Sequence, residues 1–178
     1  MSLIDFVDEV KNLVKEQVNN IHTALPGEIV SIDATTCRAS VRPKAQMSFS
    51  NGKVLDFPII SGVPVVIPQS PTSGAVIAFP VKAGDPCLLI FSEQALDYWF
   101  ENGTTNSQVK HGLSGAIAIL GLMKTPSSDF KDAIENDKVI VRNGNASIAL
   151  SNATITIRGD VTVEGNLLIN GEVRQVTG

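Results

Sequence analysis

From Ile155 onward the apolar pairs Ile155/Ile157, Val161/Val163 and Leu167/Ile169 recur every six residues, and Gly159, Gly165 and Gly171 keep the same step. A strict hexad calls for stacked β-structure, in which each short strand buries one side and glycine takes a corner that needs positive φ or close backbone approach. Just upstream, VIV, SIALS and TITI alternate between turn residues such as Asn143-Gly144-Asn145 and Ser151-Asn152, so the repetitive β-segment runs over 138–178. A single-chain β-helix uses about three hexads per coil and needs at least three coils. The hexads here supply barely one coil. A lone chain would leave its strand edges unpaired and its apolar stripes half exposed, whereas three chains wrapped together remove both defects. The repeat therefore predicts a homotrimeric, intertwined β-prism. Its axis is filled by Ile157, Val163 and Ile169, or by their alternates Ile155, Val161 and Leu167, and its corners are Gly159, Gly165 and Gly171.

That phase also decides how Arg158-Gly159-Asp160 is read. The tripeptide has the form of an adhesion ligand, yet Gly159 is in register with the other corner glycines and Asp160 is equivalent to Asn166 and Glu172. It is expected to be a corner rather than a displayed loop.

The N-terminus obeys a different period. Ser2 and Asp5 have capping-box form, and Leu3, Val7, Val10, Val14 and Ile21 fall at alternating four- and three-residue steps, which predicts an amphipathic helix within 1–24. About three heptads is short for an independent coiled coil. The helix either docks on its own domain or meets copies of itself, and Pro26-Gly27 is expected to end it.

Over 25–103 the period becomes two. EIVSID and CRASVRPKA, joined through Ala34-Thr35-Thr36, read as a β-hairpin. VLDFPII and AVIAFPV read as further strands, PVVIP as a short run kept from a central position by its prolines, and CLLIF as a buried strand. Short strands dense in turn signals predict a small closed barrel of the OB type. SEQALDYWFENG then forms a helix with Leu96, Trp99 and Phe100 on one face, Trp99 being expected in the core. Residues 104–137, including LSGAIAILGL, read as a connection along a surface.

Chemistry is harder to find. His22 and His111 are far apart in sequence, and neither Cys37 nor Cys87 has a ligand neighbour at zinc spacing, so no metal or cofactor is expected. Both cysteines lie in apolar runs and read as buried thiols, with a disulfide between them left open. Asp85, after Gly84, reads as turn chemistry rather than an acid catalyst. No phosphate loop or dinucleotide fingerprint is present. A net charge of −4 offers no attraction to phosphate, and Arg38, Arg42 and Lys44 alone are thin support for nucleic-acid binding. No run approaches the roughly 18 apolar residues of a membrane span, and the acidic N-terminus lacks signal-peptide form. Synthesis and folding are expected in the cytoplasm, and the chain is not expected to be an enzyme.

VKAGDPCLLIFSEQALDYWFENG resembles the end of the OB domain in the central, membrane-piercing spikes of contractile phage tails, where Gly-Asp (here Gly84-Asp85) precedes the last barrel strand and a Leu-Asp-x-Trp helix (here Leu96, Asp97, Trp99) follows. HGLSGAIAILGL resembles the same family's segment after the barrel, so the likeness covers roughly 25–125. The resemblance implies a homotrimer of OB domains continued by a triple-stranded β-helix, attached to a baseplate hub and driven through the host outer membrane by sheath contraction. Such spikes often end in an iron site built from His-x-His pairs. This sequence has no histidine after His111, so the expectation is no metal, with the tip either cut away, never encoded, or supplied by a separate pointed protein. The other reading is a trimeric OB-fold module that binds carbohydrate or nucleic acid and uses the β-tail to oligomerise.

Overall fold

The change of period after the first helix is a change of architecture. The computed structural model describes residues 3–19, 21–49, 52–100 and 110–168, and the chain divides into two compact units, 1–124 and 125–178. In the first unit, helix α1 spans Leu3–Asn19. Its apolar residues Val7, Val10 and Val14 are exposed.

The strands that follow are β1 (Ala24–Asp33), β2 (Arg38–Pro43), β3 (Gln46–Ser48), β4 (Val54–Asp56), β5 (Ile60–Val66), β6 (Gln69–Ser70), β7 (Ala75–Val76) and β8 (Pro86–Phe91). Helix α2 (Asp97–Phe100) and strand β9 (Ala116–Leu120) complete the unit. Five strands close a barrel in the order β1-β2-β5-β9-β8. The β5–β9 join is parallel and the others are antiparallel, which is the topology of an OB-like barrel. A parallel join needs a long crossover, and everything from β6 to α2 lies within it.

Two-residue alternation fills the interior. Ala39 and Val41 of β2, Cys87, Leu89 and Phe91 of β8, and Ala116 and Ala118 of β9 all point inward, and with Ile29, Ile60 and Val63 they form the core. The mainly β character and the barrel match the expectation from periodicity.

Several local expectations need correcting. Pro26-Gly27 lies inside β1, not at the end of a helix, because β1 already pairs with β8 from Ala24. The Val63–Val66 run is central, flanked by β2 and β9. Pro64 is accommodated because β5 is irregular there, with Gly62 at φ +72° and a register shift against β2, while Pro68 lies beyond the end of the strand. AVIAFPV yields only the two-residue strand β7, and Ile77 and Phe79 stay exposed. GAIAIL, expected in a surface connection, is the barrel's closing strand β9. Small residues are what let it pack, since Ala116 and Ala118 fit where a bulkier pair would overfill a narrow barrel.

The second unit opens with helix α3 (Ser128–Glu135), whose first turn is capped by Ser127 Oγ accepting from the Phe130 N–H at 3.1 Å. Strands β10 (Val139–Asn143), β11 (Ala146–Leu150) and β12 (Ile155–Arg158) then form an antiparallel meander. Residues 161–168 carry no strand. Ile169 and Gly171 lie outside the described residues.

Candidate functional site

The β10–β12 meander has an unusual face. Val141 is paired with Ile148 and Ile148 with Ile157, while Val139 is paired with Leu150 and Leu150 with Ile155. Directly opposed residues share a face, as do residues two apart on one strand, so these six side chains form an unbroken apolar array. All six are exposed, from 39% at Leu150 to 66% at Ile155. On the opposite face Arg142, Ser147 and Arg158 stand in a row. Arg142 Nε meets Asp129 Oδ2 of α3 at 2.7 Å, and Lys138 Nζ meets both Asp132 oxygens at 3.1 and 3.2 Å. Hydrogen bonds from Lys138 and Asn136 hold the Asp132 carboxyl below its ordinary range.

No residue of this unit is buried among those described. Val161, Val163 and Leu167 continue the exposed series at 62%, 47% and 67%. A Val, Leu or Ile side chain gains about 1.5–3 kcal/mol on full burial, so the array leaves a large term unrealised within one chain. Gly159 and Gly165 have φ of +111° and +129°, conformations that L side chains resist. Arg158 ends β12 in register with Ser147, which fixes the start of the Arg-Gly-Asp tripeptide inside a sheet.

The segment around β8 is built as a clasp. Gly84, at φ +95°, donates its N–H to the Ile29 carbonyl at 2.8 Å, and Ile29 donates back to the Asp85 carbonyl at 2.9 Å. Asp85 Oδ2 accepts from the Lys82 N–H at 2.7 Å, which commits that oxygen to the turn. At the other end of β8, the Leu96 carbonyl accepts from the Trp99 and Phe100 N–H groups as Asp97 opens α2. Trp99 is 78% exposed rather than in the core. Aliphatic side chains already fill the barrel, and α2 is held from outside by the Arg38 guanidinium, 4.1 Å from the Phe100 ring centre.

Barrel closure brings the two histidines together, which no local signal in the sequence announces. His22 donates its backbone N–H to the His111 carbonyl at 3.3 Å, and its ring packs edge-on against Phe57. Among the described residues no group of three His, Cys, Asp or Glu is placed to hold a metal. Cys37 is exposed in the Asp33–Cys37 turn at φ +52°, against the expectation of burial, because the Asp33 carboxylate organises that turn through Thr35 and Thr36. Cys87 is buried, and burial pushes its thiol up to about 11. Both thiols are free. The basic residues of β2 are also engaged: Lys44 and Arg42 face Glu28 at 2.8 and 4.0 Å, and Arg38 reaches the Gly62 carbonyl as well as Phe100.

No curated protein matches the chain. The family model of the phage protein Gp138 N-terminal domain matches residues 25–121, which takes in the barrel strands except the first residue of β1 and covers more than half of the chain. The chain therefore belongs to the family of the phage protein Gp138 N-terminal domain, a membership that gives it a structural role in a phage.

Proposed function

We propose that this chain is the homotrimeric central spike of a contractile phage tail baseplate, or of a related injection system, and that it pierces the host outer membrane. One observation carries the reading: among the described residues, the six-residue apolar array of the β10–β12 sheet is exposed. Three copies turned about a common axis bury that array and pair the hexads that follow it, giving an intertwined β-helix with Ile155, Ile157, Val161, Val163, Leu167 and Ile169 inside. Family membership supports a phage structural part, and the exposed stripe of α1 offers a second surface for copies to meet.

In this reading the barrels ring the axis below a baseplate hub, and the β-helix points toward the host, ending in a separate tip protein or in its own terminus. The work is mechanical. Sheath contraction supplies the force and a stiff, fully hydrogen-bonded rod transmits it, so neither catalyst nor cofactor is needed. Sedimentation equilibrium of the full chain tests the assembly, with a mass of three 18.9 kDa chains expected. A monomer across the accessible concentration range sinks the proposal. Antibody labelling of virions should mark the distal end of the tail, and labelling confined to head or neck would reject the spike role.

A further inference from the structure

We infer that Trp99 of one copy seats in an apolar groove at the entrance of β8 on the next copy, an inference that rests on the self-association proposed above. The groove has a volume of about 330 Å³ and is walled by Phe79, Pro80, Pro86, Leu120 and Met123, with Asp85 as its one ionisable side chain. Phe79 and Met123 are themselves half exposed. Trp99 offers a large apolar body with a single N–H that needs an acceptor once buried. The groove offers apolar walls and a carboxylate: Asp85 Oδ2 is committed to the Lys82 N–H, and its other oxygen is available to the indole as a charge-assisted acceptor.

The groove is out of reach of its own chain's indole. Asp85 and Pro86 stand at the entry of β8, whereas α2 follows the exit at Phe91, and six strand residues span about 20 Å. The stacking of Arg38 on Phe100 keeps α2 against the start of β2. Knob and hole therefore belong to opposite ends of one barrel, which makes the contact between copies heterologous. Head-to-tail contacts of this kind close into a ring when the rotation between copies permits and run on as a filament otherwise, and a ring of three is the arrangement that the spike reading requires. The occupant is a second copy because one chain carries both halves of the contact, matched in size and in polar chemistry.

The sequence has one tryptophan, so its fluorescence reports this position alone. As the full chain is concentrated through its association range, the emission of Trp99 should move to the blue and acrylamide quenching should fall severalfold. Met123→Arg, which sets a charge on the groove wall outside the core, should abolish the blue shift and weaken association by about tenfold or more. Trp99→Ala should weaken association to a similar degree, with Trp99→Phe intermediate, while far-UV circular dichroism stays unchanged in all three. An assembled trimer whose Trp99 is quenched as readily as in dilute chain overturns this inference and leaves the trimer standing. A blue shift that persists in Met123→Arg also overturns it, because another surface then holds the indole. A chain that stays monomeric throughout overturns both.

Discussion

Gly27 of β1 lies so close to Val41 of β2 that a β-carbon on it would stand 2.9 Å from Val41 Cγ1, with Cys87 Sγ at 3.1 Å and Leu89 Cδ1 at 3.2 Å. Three strands meet there with no room for a methyl group. Gly27→Ala should therefore destabilise the barrel by about 1–3 kcal/mol, the usual cost of overpacking a filled core. Urea unfolding followed by circular dichroism measures it, and a change within about 0.5 kcal/mol would show that the barrel yields more readily than this packing allows.

The two thiols should behave differently. At pH 8 a thiol reagent should modify Cys37 quickly and Cys87 only on unfolding, because Cys37 is exposed whereas burial holds Cys87 protonated with its pKa at about 11. The same shift gives a pH dependence. With the folded pKa raised from 9.0, the contribution of Cys87 is intact below pH 9 and is lost as pH rises toward 11, since the unfolded chain gives up its proton first. Cys87→Ala should flatten stability across that window, and two equally fast thiols in the native chain would contradict the burial.

Helix α3 depends on groups that can be removed singly. Ser127→Ala deletes the side-chain acceptor of the Phe130 N–H and should cost the helix about 1 kcal/mol. Asp132 adds an acid sensitivity. Its carboxyl is held below 3.8 by Lys138 and Asn136, so its contribution is present above that pH and fades as the group protonates below it. Hydrogen-exchange protection at the α3 amides, taken relative to the intrinsic rate at each pH, should fall on acidification in the wild type and change less in Asp132→Asn.

Gly159→Val sets a β-branched residue at φ +111°, with its Cβ 3.4 Å from Ala146 Cβ. A cost of about 1–3 kcal/mol at this corner should lower the trimer fraction seen by sedimentation. The variant should leave no adhesion phenotype to lose, because Arg158 is held in β12. Normal assembly of the variant together with lost attachment to integrin-coated surfaces would reverse that reading.

Periodicity made most of the barrel legible. The period of two marked CRASVRPKA, whose Ala39 and Val41 point inward, and CLLIF, legible as a buried strand, supplies Cys87, Leu89 and Phe91 to the core. The hairpin through Ala34–Thr36 is where the turn residues put it. The misreadings share a cause: tertiary pairing overrode local pattern. Ala116–Leu120 looks like a small-residue connection until β5 and β8 are there to flank it, and Pro64 seems to bar a central strand until the bulge at Gly62 absorbs the irregularity. Trp99 was legible as a large apolar residue but not as an exposed one, because whether an indole is buried depends on whether the core has space left. The meeting of His22 with His111 follows only from closure of the barrel and leaves no trace in spacing.

The uncovered β10–β12 face has a kinetic corollary. A barrel that buries its own interior can fold in a first-order step as soon as its strands are synthesised, whereas in the proposed trimer a sheet covered by other copies waits on their encounter. Under that proposal the order of the tail would be set by mass action, rising with the number of chains per cell, while the barrel would be indifferent to it. Each newly made chain would carry a finished head and an unfinished shaft, and the shaft would harden only where copies are plentiful enough to find one another.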